Sequence, residues 1–438
     1  MKTALYLLTH DLRMHDNQSL TYAQQFDRLV CVYCFDPNIV NDRRYQVTGM
    51  GSKRLALTLV ALRDLSQQLS TMGQHVHVVF GDLVAQIVEL TTQAHIDTFI
   101  VSRQFGNYER AQIQHIASVL PHVNLIESDN YTLFNSHDLP WLETELPKQF
   151  SPFRHKAEAL NIAPCQAEVT QLPQPALAPP EHTELPDWMP IPDAKQAQFK
   201  GGERAAMAHL GDYFGSELPN TYKQTRNALT GWGNSSKLSV YLSLGCLSVK
   251  RVAHILHAYQ HKHGRNDDNQ WLLVELLWRE FFQWHALNIG KQLYNFQGQA
   301  KNAPLTTFYP ERFKAWCTGT TPYPIVNAAM KELSATGYIS NRARQIVASC
   351  LVNELQVDWR YGAAWFQHHL LDYDVAVNWG NWQYIAGVGV DPRGGRHFNL
   401  TKQTQLYDPN GDYIAWWGGT ASHNTLDQRD MVDWPITS

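Results

Sequence analysis

An α/β domain followed by an all-helical domain is the fold class the sequence predicts, and three observations carry it. Short apolar runs alternate with amphipathic segments over the first 130 residues. A proline-crowded stretch interrupts this pattern between 131 and 200, and helical periodicity takes over from 201 onward. At 438 residues the chain is also long for one hydrophobic core, which agrees with two domains.

The strands are read first. "ALYLLT" (4–9), "RLVCVYCF" (28–35), "HVHVVF" (75–80), "DTFIVS" (97–102) and "NLIES" (124–128) are short apolar runs, and helical periodicity fills 53–72, 83–94 and 108–119 between them. Alternation at this spacing means βαβ units and a doubly wound parallel sheet over 1–130. "GMGSKR" (49–54) is too short for a dinucleotide fingerprint and does not directly follow a strand, so a Gly-rich phosphate loop is not this domain's device. Prolines such as those in "APCQAEVTQLPQPALAPPEHTELPDWMPIP" can neither continue a helix nor join a central ladder. The 131–200 segment therefore reads as an extended connector over the surface. A helical domain over 201–425 and a short tail, 426–438, complete the chain.

The formal charge of −4 gives no bulk attraction to nucleic acid, so such binding needs a local basic patch. Cys31 and Cys34 form a CxxC inside a strand-like run rather than in the turn a metal site needs, and the six cysteines form no four-cysteine cluster. No basic leader followed by an apolar stretch opens the sequence, and no apolar run approaches a membrane span. A cytoplasmic monomer is the expectation. The 14 tryptophans and 19 tyrosines suit cores, and also stacking on planar ligands or bases.

Four polar clusters interrupt the helical domain. "NSSKLSVYLSLGCLS" (234–248), preceded by Tyr222, puts hydroxyls and a lysine before a helical run; this reads equally as a capped helix or an anion site. In "WLLVELLWREFFQWH" (271–285), Glu275, Trp278 and Arg279 share a face, and a Glu–Arg pair over a core indole is the simplest account. Asn341, Arg344 and Gln345 open a long apolar helix that ends near Trp359. In "LLDYDVAVNWGNWQYIAG" (370–387), Asp374, Asn378 and Trp382 fall at i, i+4 and i+8 if the chain turns helical after Tyr373, with Asp372 at the entry. Four such clusters within about 150 residues point to one shared site.

"TGYISNRARQIVASCLV", "DWRYGAAWF", "LLDYDVAVNWGNWQYIAGVGVDPR" and "YDPNGDY" resemble the photolyase/cryptochrome family, in its DASH branch, and "DLRMHDNQSL" resembles the family's opening motif. The likeness extends from residue 1 to about 417. It implies an α/β antenna domain and a helical domain enclosing FAD. By the same resemblance Tyr222, Ser235, Ser236, Lys237, Leu238 and Ser239 match the flavin phosphate-binding motif, and Arg279 belongs with the cofactor-binding residues. Arg344 with Asp372 matches a salt bridge against the flavin, Asp374 contacts the ring region and Asn378 faces flavin N5. Glu275, Trp278 and Asn341 match the pocket for a cyclobutane pyrimidine dimer. Gln345 and Tyr384 stand where dimer photolyases carry Met and Trp, which implies a more polar, less stacking pocket.

Glu109 in "FGNYERAQ" matches the carboxylate contact to a 5,10-methenyltetrahydrofolate antenna. Trp382 and Trp359 match the first two members of the electron-transfer chain, while Thr306 stands where the third tryptophan is expected, ten residues before Trp316; either Tyr309 or another tryptophan is then the exit, or photoreduction is less efficient. Arg393, Arg396 and Lys402 are candidates for the rim of a groove for single-stranded DNA. The function implied is light-driven, FAD-dependent repair of cyclobutane dimers, preferentially in single strands. The rival readings are a blue-light photoreceptor, and a flavoprotein that binds nucleic acid without repair. Only about 20 residues follow "AWWGG", which disfavours a receptor with a long signalling tail.

Overall fold

A computed structural model describes residues 1–139, 141, 145–180, 184–195, 198–391 and 394–422. The rim candidate Arg393 and the 426–438 tail lie outside the described residues. The five expected strands form within a residue or two of their runs: β1 (Thr3–Leu8), β2 (Arg28–Phe35), β3 (Val76–Phe80), β4 (Thr98–Ser102) and β5 (Asn124–Ser128). All pair in parallel in the order β3-β2-β1-β4-β5. Successive residues of β1 enter opposite cores: Ala4, Tyr6 and Leu8 on one side, Leu5 and Leu7 on the other. Burial on both faces is why these strands read as continuous apolar runs rather than as alternation.

The sheet reverses its winding between β1 and β4, where doubly wound folds usually bind ligands. Here the crevice is filled by the chain itself. Asp11 accepts hydrogen bonds from the Tyr6 hydroxyl at 2.5 Å, the Ser102 hydroxyl at 2.5 Å and the Thr9 amide at 2.8 Å. The buried Arg13 donates to the Gly245 carbonyl of the helical domain at 3.1 Å and to Asn130 O at 2.9 Å. Gly245 has φ +69°, and a Cβ there would fall 1.7 Å from the His10 carbonyl oxygen. The crevice therefore serves to dock the two halves, and only glycine permits so close an approach.

The connector departs from expectation. A short strand, β6 (Gln174–Pro175), joins β2, the segment Phe150–Ala157 is helical, and Leu133, Phe134, Trp141, Phe153 and Val169 are buried. Proline excludes helix and central ladder, but it does not exclude burial of the apolar residues around it. The Leu133 and Phe134 amides donate to the Glu280 carboxylate at 2.8 and 3.3 Å, and Trp284 Nε1 donates at 2.7 Å. Burial pushes Glu280 up to about 7 against the lowering effect of these donors. A raised carboxyl pKa means the folded state holds its proton longer than the unfolded chain, so this group's contribution falls as pH rises from the ordinary carboxylate range through 7. Glu280→Ala is expected to strand the three donors and cost about 3 kcal/mol in chemical denaturation, and to remove that slope. An unchanged denaturation midpoint would contradict the assignment.

In the helical domain Asp267–Ile289 is the organising element. Asn266 and Asn269 form a capping box, and Asp267 and Asp268 complement the positive end of the helix. It packs against Tyr222–Thr225, Phe150–Ala157 and Val375–Ala386, which brings three distant sequence clusters to one face. The helix expected to run on to near Trp359 is broken instead. Asn341–Ser349 passes into a π-helical turn, Cys350–Glu354, and Trp359 begins the separate helix Trp359–His369.

Candidate active site

The clusters converge on a cavity of about 610 Å³, within the range of small-molecule sites. Tyr222, Ser235, Ser236, Lys237, Leu238, Ser239, Glu275, Trp278, Arg279, Asn341, Arg344, Gln345, Asp372, Asp374 and Tyr384 all line it. Asn378 and Trp382 line an adjoining cavity of about 100 Å³, which shares Asn341, Arg344, Gln345, Asp372 and Asp374 with the larger one. Glu109 is elsewhere, in a small cavity of about 60 Å³ between the α/β and helical parts. Arg396 lines the main cavity, and Lys402 is exposed on Leu400–Tyr407.

The 234–248 segment is not a side-chain-capped helix. Ser239–Leu244 is six residues long, and its N-cap Leu238 makes no capping bond. Lys237 adopts φ +56°, a left-handed conformation that a non-glycine residue takes only under constraint. Its ammonium lies 5.0 Å above the Tyr338 ring. Burial drives its pKa down to about 8, with Arg344 adding repulsion. The Glu332 and Asp372 charges oppose that fall.

Arg344 and Asp372 form an ion pair at 2.9 Å, and the Arg344 Nε donates to Ile339 O at 3.1 Å. The other oxygen, Asp372 Oδ1, is buried without a partner among the described residues. Asp374 caps Val375–Ala386, its Oδ1 accepting from the Val377 amide at 3.1 Å; its Oδ2 accepts from Gln283 Nε2 at 3.1 Å and lies 3.8 Å from Arg279. One turn on, the Asn378 amide nitrogen donates to Ala363 O at 3.0 Å.

The simple Glu275–Arg279 pairing is not formed. Glu275 Oε1 accepts from Arg226 at 2.7 Å and from Trp271 Nε1 at 2.8 Å, while Arg279 donates to the Tyr131 carbonyl. Burial raises the Glu275 pKa, and Arg226 and Trp271 oppose that rise. Arg226 and Trp271 went unread in the sequence. Arg226 lies one helical turn beyond Tyr222 and could have been suspected; nothing local marks its pairing 49 residues away. Phe150 was missed as well. It stacks on Trp278 with ring centroids 3.6 Å apart and planes 10° apart. Tyr384 meets the Trp278 ring edge-on at 5.9 Å, and its hydroxyl accepts from Arg396, which Asp391 holds at 3.1 Å.

A family model described as the FAD binding domain of DNA photolyase matches residues 271–425, and one described as DNA photolyase matches residues 4–176. The chain belongs to the photolyase/cryptochrome family. Within it the DASH branch is shown by proteins named Cryptochrome DASH. That of Idiomarina loihiensis is 44% identical over 99% of this chain and 97% of its own length, and that of Vibrio parahaemolyticus is 42% identical over 100% and 98%. The crystal structure of a Synechocystis cryptochrome superposes with a TM-score of 0.87 at 35% identity, covering 95% of this chain and 88% of that one.

The residues of this DASH-branch protein fit FAD. Lys237 and the Ser235, Ser236 and Ser239 hydroxyls suit phosphates, the orphaned Asp372 Oδ1 suits an N–H or hydroxyl donor, and the cavity has the volume of a cofactor site. The two expected electron-transfer tryptophans do not stack on one another in the described ring contacts. Trp382 meets Trp316 at 6.2 Å and Phe366 at 5.1 Å, whereas Trp359 meets Trp379 at 5.8 Å. Gly362 links them: a Cβ there would lie 2.2 Å from the Trp382 ring edge, so that ring rests on the helix that Trp359 begins. Thr306, at the third position, has a buried hydroxyl without a partner among the described residues. Among those residues, no helix is long and apolar enough to cross a membrane.

Proposed function

We propose that this protein is a blue-light, FAD-dependent enzyme that splits cyclobutane pyrimidine dimers, with single-stranded DNA as its preferred substrate. The observation that carries this reading is the shared cavity: groups suited to a base, Glu275 and Trp278, open onto the same space as groups suited to a flavin, Arg344, Asp372 and Asp374. When bound, FAD supplies the light-driven electron that opens the cyclobutane ring. The chain's own residues position, exclude water and stabilise charge. Trp278, backed by Phe150, offers an indole face to extruded bases. Glu275 in its acid form donates a hydrogen bond to a pyrimidine carbonyl as negative charge arrives there, and Asn341, lining the same cavity, adds a polar contact. Asn378, its amide nitrogen tied to Ala363, cannot act as an acid toward the flavin.

Tyr384 and Gln345 explain the preference for single strands. Tyr384 is bonded to Arg396, itself held by Asp391, and so makes one wall of the cavity polar rather than a second stacking surface. Extrusion from a duplex costs unpairing and unstacking, which such a wall offsets poorly; a single strand avoids the unpairing cost. Arg226, Arg342 and Arg396 line the same cavity as guanidinium donors, Arg226 paired with Glu275 and Arg396 with Asp391.

Lys237, beside the serines, holds the flavin phosphates in this reading. A protonated lysine is required, so flavin affinity is expected to fall as pH rises through about 8. Lys237→Met is expected to weaken binding roughly ten- to hundredfold and to remove that dependence. Titration of apoprotein by flavin fluorescence from pH 7 to 9 checks it, and a flat wild-type profile would contradict the role. Glu109 carries the antenna reading: its Oε2 is buried without a partner among the described residues, beside Tyr108 and Tyr294. Its cavity encloses only about 60 Å³, so the pterin edge alone would be buried there.

Binding tests the site directly. A thymine-dimer oligonucleotide is expected to bind the FAD-loaded protein at least tenfold more tightly than the same undamaged single strand. Equal affinities would favour a flavoprotein that binds nucleic acid without repairing it.

A further inference from the structure

Thr306 leaves the tryptophan chain without its expected outer member, yet the described rings continue in another direction. The buried Trp359 meets Trp379 at 5.8 Å, Trp379 meets Tyr294 at 5.0 Å, and Tyr294 meets Tyr108 at 4.9 Å. Tyr108 is 45% exposed, so the row reaches the surface. Two buried polar atoms along it lack partners among the described residues: the Tyr294 hydroxyl and Glu109 Oε2. Both residues line the small cavity beside Trp379 and Tyr108. A phenol that loses an electron becomes a strong acid, so a tyrosine serves as a lasting electron donor only where a base can take its proton. The Glu109 carboxylate, lining the same cavity as the Tyr294 phenol, meets that need. Burial and the nearby Glu109 charge raise the phenol's pKa against the Asn107 backbone N–H, and burial raises the Glu109 pKa as well, which makes it the stronger base once ionised.

We propose that Trp379 relays the oxidising equivalent from Trp359 to Tyr294, which releases its proton to Glu109 as it is oxidised. This rests on the reading that Trp382 is the first donor to a photo-excited, oxidised flavin. Trp382 gives up one electron to it; Trp359 then refills Trp382, Trp379 refills Trp359, and Tyr294 refills Trp379. The products are one electron on the flavin, a neutral Tyr294 radical and protonated Glu109. An external thiol returns a hydrogen atom to the Tyr294 oxygen, and Glu109 releases its proton to solvent.

Time-resolved electron paramagnetic resonance on the FAD-loaded full chain reads the radicals, and thiol-dependent flavin bleaching reads the lasting electron. Wild type is expected to show a neutral tyrosyl radical. Tyr294→Phe is expected to lose it and to lower the lasting yield at least fivefold. Trp379→Phe is expected to show only short-lived tryptophanyl signals. Tyr294 lies outside the main cavity's lining, so its variant keeps the test available if Trp379→Phe fails to hold flavin. Tyr309→Phe should behave as wild type. A persistent tyrosyl signal with wild-type bleaching in Tyr294→Phe, or its loss in Tyr309→Phe instead, would overturn the proposal. If Trp382→Phe itself bleaches at the wild-type rate, the underlying reading fails rather than the exit alone.

Discussion

Asp372→Ala is expected to yield a protein that folds but retains almost no flavin. The Asp372 side chain is 2% exposed, and its Oδ2 neutralises Arg344 at 2.9 Å. Removing it leaves a desolvated guanidinium uncompensated in a wall of the cavity, a change that costs about 3–5 kcal/mol when one partner of a buried pair is lost. The same substitution deletes Oδ1, the orphaned acceptor on which the cofactor assignment leans. Loss of that acceptor and of the fixed Arg344 guanidinium, about 1.5–3 kcal/mol for each charged hydrogen bond, should weaken flavin binding by at least two orders of magnitude at about tenfold per 1.4 kcal/mol. The molar ratio of flavin to protein after desalting measures this, with circular dichroism to confirm the fold. Asp372→Ala protein that keeps stoichiometric flavin would mean that the ion pair is a core strut facing no cofactor.

Trp278→Ala is expected to have the largest effect on substrate. Stacking contributes about 1–3 kcal/mol per base, which predicts a loss of affinity for a dimer-containing single strand of roughly 5- to 150-fold. Trp278→Phe should keep much of the affinity, because Phe150 still supports a flat ring from behind. Glu275 separates binding from charge stabilisation. Its raised pKa keeps the acid form to higher pH than an ordinary carboxyl, and repair that needs the acid form should decline as pH rises beyond the ordinary carboxylate range. Glu275→Gln retains a donor and should flatten the decline. Glu275→Ala loses it and also strands Arg226 and Trp271. An undiminished affinity in Trp278→Ala, measured by fluorescence anisotropy, would remove the indole from the substrate site.

What was legible in the sequence followed from periodicity. β1 to β5 announce themselves because both faces of the sheet are buried, and the Asp374–Asn378–Trp382 column survives because one helix carries all three. What stayed hidden depends on contacts between distant segments. The Glu275–Arg226 pair spans 49 residues, and the Phe150–Trp278 stack joins the connector to the central helix. Prolines correctly excluded regular structure from much of 131–200, but they concealed Leu133 and Phe134, whose amides need the buried Glu280 as acceptor. The serines before Ser239–Leu244 read equally as a cap or an anion site; no side-chain cap forms, and Lys237, in a constrained backbone conformation, lines the cavity. Asp374 and Asn378 were readable together because one helix and its cap carry both, while the partners of Glu275 and Trp278 were not, because they come from elsewhere in the chain.

Light-dependent repair by the wild-type protein, carrying reduced FAD, tests the central claim most directly. A thymine-dimer oligonucleotide is presented as a single strand and as a matched duplex, and restored thymines are counted after illumination and in the dark. The expected result is repair in the light alone, at least tenfold faster on the single strand. Reduced flavin bound in full with no repair of either form would contradict the account and favour a photoreceptor.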